Sequence, residues 1–375
     1  MRRIRLVPAC VLVACSLMFL AAATPSRAED QKVYNYSIQT AVPSASLYFQ
    51  LLEKFTKQVE TMSGGRLKGE VLPAGAVVGP FEILDAVSNN VVNAGYAWGN
   101  YWSGKNSAFV LFANAPASTG LDQDSLVAWY YRGGGEQLYE EFLADTMHLN
   151  LKAFFMQPMG PDPLGWFKEP IASMEDFKKF KYRAPPGIPG ETYKNMGVAA
   201  VAMPGGDIVP SAQRGVIDAA EWIGPADDRN LGLQKIWKYY YLQGLHQQTD
   251  VGQIIFNKDF WDSLPPDLQE IVKVAVMANV AETLNADIYD NSVALEELQS
   301  QNGVHIENTP LDYYPKFIAE EKKVTAAYAE KNPVFKKVLE SQVAFAKKVY
   351  PYRVRILELY YNMVKTANEQ QEQQQ

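Results

Sequence analysis

The chain has 375 residues, 47% hydrophobic and 21% charged, enough to bury a sizeable core and inconsistent with a disordered tail or a small stapled scaffold. At roughly 100–200 residues per domain, that length suggests two or three folded units. Both cysteines, Cys10 and Cys15, sit near the N-terminus, and 35 basic against 42 acidic side chains give a formal charge of −7.

Met1-Arg2-Arg3-Ile4-Arg5, an apolar run reaching Leu17-Met18-Phe19-Leu20, and the small-residue end Ser26-Arg27-Ala28 have the layout of a secretory signal peptide over residues 1–28. Pro8 and the short apolar run argue against a membrane span, which needs roughly 20 apolar residues. An alternative is a lipoprotein box, Leu12-Val13-Ala14-Cys15, with Cys15 as the lipidated first residue, although the apolar run continues past it. Removal of residues 1–28 leaves no cysteine, so disulfides and thiolate chemistry are not expected. It also removes four arginines, and 31 basic residues then face 42 acidic ones, a net charge of −11. Nucleic acid and anionic membrane surfaces are therefore not expected as partners. An anionic ligand would need a local cationic group.

The remaining chain opens on an alternating strand, Val33 to Thr40, followed by a helix from about Ser46 that stops at Ser63-Gly64-Gly65. A strand over 66–72, a helix over 81–88 and a strand over 91–97 continue the pattern, which argues for a parallel α/β sheet. After a helical stretch at 125–143 the pattern restarts. Strands are predicted at 151–156, 179–183, 199–203 and 217–222, with helices beginning at Ser173, Gly190 and Val209 between them. A strand at 252–257 leads to Pro265-Pro266, which opens a long helix toward Leu298. The last helix, about 333–365, carries an apolar stripe from Phe335 to Tyr360 that is packed on the body or given to a partner chain; Pro351 should kink or split it, and the glutamine-rich end should fray.

Enzyme motifs fare poorly. Gly99 to Lys105 has P-loop glycine and lysine spacing, but Asn106 stands where a magnesium-holding hydroxyl belongs, and Tyr101 and Trp102 would obstruct the loop. His148, His246 and His305 are scattered, so each reads as structural or surface. The many carboxylates and aromatic rings leave an exported carbohydrate-active enzyme open as a rival.

The segments Asp162-Pro163-Leu164-Gly165-Trp166-Phe167, Phe180 to Pro185, Met203 to Asp207 and Gln213 to Pro225 together resemble the solute-binding proteins of TRAP transporters, the DctP family. Ser63 to Leu67, Tyr101-Trp102, Lys238 to Tyr241 and Phe256-Asn257-Lys258 extend the resemblance over essentially the whole chain beyond residue 28. Glu221-Trp222 followed by Gly224-Pro225 resembles the subgroup that binds α-keto and 2-hydroxy monocarboxylates with a metal ion. The resemblance implies an α/β, two-lobed periplasmic-binding-protein fold with a hinge, a long connecting helix and an extra C-terminal helix. The lobes would comprise 31–153 with 254–295, and 154–253 with 296–330, and the C-terminal helix 333–368 would exchange between subunits of a homodimer.

Arg183 ends a predicted strand before Pro185, at the carboxyl edge where α/β sheets put ligands, and its planar fork matches a carboxylate bidentately. The resemblance implies a cation held by Glu221, by the Trp222 backbone carbonyl and by a residue four before Trp166. That residue is Asp162, with Gln157 as the alternative if the alignment slips. Two carboxylates would move the expectation from Na+ toward Ca2+. Tyr101 and Asn100 would close from the first lobe, with Trp222 also against the substrate. The implied role is non-enzymatic: a periplasmic receptor for a small organic anion such as pyruvate or lactate, delivering it to a TRAP membrane permease. A periplasmic ligand-sensing module is the other rival.

Overall fold

The computed structural model describes residues 32–372; the predicted signal peptide, both cysteines and the lipoprotein alternative lie outside the described residues. The first half runs β1 (Tyr34–Thr40), α1 (Leu47–Met62), β2 (Leu67–Leu72), α2 (Ile83–Ser88), β3 (Ala94–Ala97), α3 (Gln123–Arg132), α4 (Gly135–Glu141) and β4 (Leu151–Met159). Ser46 caps α1 by accepting from the Tyr48 N–H, and the helix buries Leu51, Leu52, Phe55 and Val59 on one face. Gly64 and Gly65 then take left-handed backbone angles, where a side chain would be strained, and the helix stops as predicted. The helical stretch expected at 125–143 is broken into α3 and α4 at Gly134, also left-handed.

The chain continues with β5 (Gly165–Phe167), α5 (Met174–Phe177), β6 (Lys181–Arg183), α6 (Ile188–Asn195), β7 (Ala199–Val201), α7 (Gly205–Gln213), β8 (Ala219–Ala220), α8 (Pro225–Leu231) and β9 (Tyr239–Tyr241). It ends with β10 (Asp250–Asn257), α9 (Lys258–Ser263), α10 (Pro266–Ser300), β11 (His305–Glu307), α11 (Tyr313–Lys331) and α12 (Pro333–Glu372).

Two sheets result, ordered β2-β1-β3-β10-β4 and β11-β9-β5-β8-β6-β7. In the first, β1 is parallel to β2 and β3, but β10 is antiparallel to both β3 and β4, so the sheet is mixed rather than wholly parallel. The reason is topological: β10 returns from the second sheet and starts at the edge where β3 and β4 end. The lobe boundaries expected at 153/154 and 253/254 fall inside β4 and β10, whose continuous ladder keeps both strands whole in the first sheet. The chain changes sheets over 160–164 and 242–249, and α10 makes the remaining crossing.

An aromatic core of Phe167, Phe177, Tyr182, Tyr193, Tyr313 and Phe317 lies against the second sheet, distinct from the larger core around the first. α12 seats Phe335 and Val338 on the body and donates from Gln342 to the Leu111 carbonyl at 2.7 Å. It runs unbroken through Pro351 to Glu372, past the split expected at the proline and past the expected fray. Pro351 removes the backbone bond to the Lys347 carbonyl, and the exposed setting of Lys347 lets water take it. Beyond it, Leu359, Tyr361 and Met363 are exposed.

Candidate functional site

β6 and β8 are parallel neighbours with Arg183 opposite Ala220, so their carboxyl ends place Arg183 beside Glu221. Gly165, on the neighbouring β5, has φ +106°, and a Cβ there would stand 2.3 Å from the Ala220 carbonyl oxygen, so the close approach of β5 and β8 requires glycine. From the first sheet, the tight turn Gly99–Trp102 after β3 brings Asn100 and Tyr101 to the same place. Trp98, Asn100, Tyr101, Asp162, Arg183 and Glu221 line one cavity, with Trp222, Gln247 and Asp250 among the other walls. The predicted residues Asn100, Tyr101, Asp162, Arg183, Glu221 and Trp222 are thus gathered from both sheets.

Arg183 is buried and fully oriented. Its Nη1 donates to a Glu221 carboxylate oxygen and, at 3.3 Å, to the Glu221 carbonyl; Nε and Nη2 donate to the Met203 carbonyl at 3.1 and 2.9 Å. Its guanidinium carbon lies 5.3 Å from the centre of the Trp222 ring, a cation–π distance. Trp222 in turn packs edge-on to Trp98, centroids 6.2 Å apart, and donates its indole N–H to Asp227 Oδ2 at 2.6 Å. The following backbone is clamped by Asp228, whose Oδ1 accepts from the N–H groups of Ile223 and Gly224, and whose Oδ2 accepts from Trp166 and Tyr240.

The electrostatics are dominated by burial. It pushes Glu221 up to about 8, against the lowering effect of Arg183, and pushes Asp228 up to about 7 against four hydrogen-bond donors. Asp162 is raised well above the carboxylate range by burial and then by Asp250 and Glu221, and Asp250 is raised for related reasons. Three carboxylates and one guanidinium therefore share a dry space, an arrangement that favours uptake of positive charge. Asp162, Glu221 and His246 each offer a ligand atom within 4.8 Å of the others, and Asp162 Oδ1 has no hydrogen-bond partner among the described residues. The two carboxylates suit a hard cation, and His246 adds a neutral ring nitrogen beside them.

Gln157 is placed differently. It is fully buried, donates to the Tyr48 carbonyl at 3.2 Å and is not among the cavity-lining residues. His246, read from sequence as structural or surface, is buried 4.0 Å from Glu221 Oε2 with both ring nitrogens unpartnered among the described residues. Burial and Arg183 hold it down to about 3, so it is a neutral imidazole and the contact is not an ion pair. Asp250, Gln247 and Trp98 were also missed; Asp250 opens β10, Gln247 lies in the crossing before it and Trp98 follows the end of β3, where no periodicity or spacing marks them. The P-loop-like lysine, Lys105, pairs with Asp85 at the surface at 2.7 Å.

Two sheets, three crossings and a buried charged cavity at their junction define a two-lobed solute-binding protein. Residues 38–332 match the family of bacterial extracellular solute-binding proteins, family 7 (DctP), and the chain belongs to that family. The monocarboxylate 2-oxoacid-binding periplasmic protein of Nostoc sp. is 32% identical over 330 residues, 87% of each chain. A TRAP transporter solute-binding protein from Bordetella bronchiseptica, solved with calcium and picolinate, superposes with a TM-score of 0.84 at 27% identity, covering 90% of this chain and 99% of that one. Another from Pseudoalteromonas atlantica, solved with sodium and pyruvate, gives 0.81 at 28% identity, covering 88% and 99%.

Proposed function

We propose that this chain is the extracytoplasmic receptor of a TRAP transporter and captures a small 2-oxo or 2-hydroxy monocarboxylate, such as pyruvate or lactate, together with a cation. The observation that carries the reading is one cavity that holds the Arg183 guanidinium, the Asp162–Glu221 carboxylate pair and, from the other sheet, Trp98, Asn100, Tyr101 and Asp250. Arg183 binds the ligand carboxylate by exchanging bonds it now gives to Met203 and Glu221, and Tyr101 and Asn100 close over it. Asp162, Glu221 and the Trp222 carbonyl hold the cation, with calcium preferred over sodium because two carboxylates face it. A cation held there would supply the positive charge that lets the acidic wall accept an anionic ligand. The free space is ≈ 20 Å³, the room of a single water, so a ligand of several heavy atoms enters by parting the lobes. The lobes are the bodies around the two sheets, hinged at 160–164 and 242–249, and closure is favoured by whatever touches both.

The protein acts in the periplasm after loss of residues 1–28, breaks no bond and hands its ligand to the membrane permease. No helix among the described residues is long and apolar enough to cross a membrane. The exposed apolar half of α12 pairs with a second copy in a homodimer. A thermal-shift screen of monocarboxylates, with calcium, sodium or chelator, tests the reading. Stabilisation by pyruvate or lactate that needs the cation is expected; no stabilisation by any 2-oxo or 2-hydroxy acid with either cation would overturn it.

A further inference from the structure

We infer that Asp227 is a positioning residue, a strap that ties closure of the two lobes to the orientation of Trp222; this rests on the reading of the cleft as a ligand site. The carboxylate is buried on α8, which follows β8 of the second sheet. Its Oδ2 accepts from the Trp222 indole N–H at 2.6 Å. Its Oδ1 reaches across to the first lobe, accepting from the Ser46 hydroxyl at 2.7 Å and the Leu47 N–H at 2.8 Å at the start of α1. One side chain thus joins the indole that faces Arg183 to the N-terminus of a helix some 180 residues away in sequence.

The partners explain why this is a strap and not a permanent tie. All three are neutral donors, and the helix terminus adds only partial positive charge. A buried carboxylate held this way is satisfied while the lobes meet, and water replaces the Ser46 and Leu47 donors when they part. An ion pair of similar burial would leave an unpaired charge at each opening. Trp222 has little freedom to adjust by itself: a Cβ on Gly205 would meet its ring at 2.2 Å, Arg183 covers it and Trp98 meets its edge. Fixing the indole N–H therefore fixes the ring against Arg183 and the peptide that follows Glu221. In the closed arrangement, the same carboxylate reports the position of α1 to the ligand pocket.

The test uses the full chain with one dye on each lobe, read as inter-dye distance distributions across a titration of pyruvate at fixed calcium, beside the melting temperature of the ligand-free protein. Ser46→Ala removes one of the two first-lobe donors and leaves the Leu47 N–H, Asp227→Asn sets an NH2 against either the Trp222 N–H or the first-lobe donors, and Ser46→Thr keeps the hydroxyl. Ser46→Ala and Asp227→Asn are each expected to lower the closed fraction and weaken pyruvate about 10-fold, with Ser46→Thr restoring both. The double variant should be no weaker than Asp227→Asn, because both act through one strap. Lower melting temperatures with closure curves that coincide with the parent would overturn the inference and leave only a helix-capping role. If the parent does not respond to pyruvate, the ligand reading fails, while the ligand-free distributions of parent and variants still decide the strap.

Discussion

The two walls of the cleft are made of different chemistry. The second lobe and its crossings present Asp162, Arg183 and Glu221, ionisable groups held by carboxyl strand ends and by backbone carbonyls, whereas the first lobe presents Trp98, Asn100 and Tyr101 around one tight turn and a single carboxyl, Asp250, at the start of β10. On the proposed reading, most of the charge recognition lies on one side, and the aromatic and amide groups of the other side meet the ligand when the lobes come together. Affinity then divides into a large term from the charged wall and a smaller closure term from the neutral one.

Breaking the charged wall should produce the largest effect. Arg183→Lys keeps the charge and loses the fork; loss of charge-assisted bonds worth about 2–3 kcal/mol predicts ligand affinity lower by on the order of 100-fold, measured by calorimetry. An affinity within threefold of the parent would move the anchor elsewhere. The carboxylates sharpen the comparison next. Glu221→Gln should abolish the effect of added calcium on ligand affinity, and Asp162→Asn should weaken calcium by about 10-fold while sparing sodium, since a hard divalent ion gains most from charged oxygens.

The charged wall should also respond to pH. Glu221, raised to about 8 by burial, must lose its proton to ligate a cation, so cation affinity is expected to rise from pH 6 to pH 8 with protons released on binding. In the ligand-free protein the sign reverses. A carboxyl whose folded value lies above the unfolded value of about 4.3 contributes stability that is full below that value and is lost as pH rises toward 8. Melting temperatures of the ligand-free protein that do not fall between pH 5 and pH 8 would contradict this. The neutral wall should matter least: Tyr101→Phe removes one hydroxyl, worth about 0.5–1 kcal/mol, and predicts a two- to fivefold loss of affinity with cation binding unchanged.

The charged wall was also the more readable in sequence. Arg183 was marked by a strand end before Pro185, Asp162 by its spacing to Trp166, and Glu221-Trp222 by the residues after them. Each lies in a local pattern. His246 and Asp250 carried no such mark, because they reach the cavity only through the crossing at 242–249. The same limit applies to the sheets. Many helix and strand positions followed from periodicity and glycine stops, though β5, β9, β11, α8 and α11 did not, while the insertion of β10 between β3 and β4 depends on pairings about 160 and about 100 residues apart, which no local pattern encodes. At Pro351 a local rule predicted a kink or a split, and the split is absent because an exposed helix can leave one carbonyl to water.

The helix α10 runs 35 residues from the first lobe to the second, about 50 Å at 1.5 Å per residue. It packs on β4, α1 and α8 together, so it belongs to neither lobe alone. The two short crossings are thin flexures, and α10 is a beam laid across them. Such a linkage cannot gape in any direction; it twists or bends along the axis of the beam and springs back. Softening that beam, for instance by a glycine midway along α10, is therefore expected to change the rate of opening without changing any residue of the cavity.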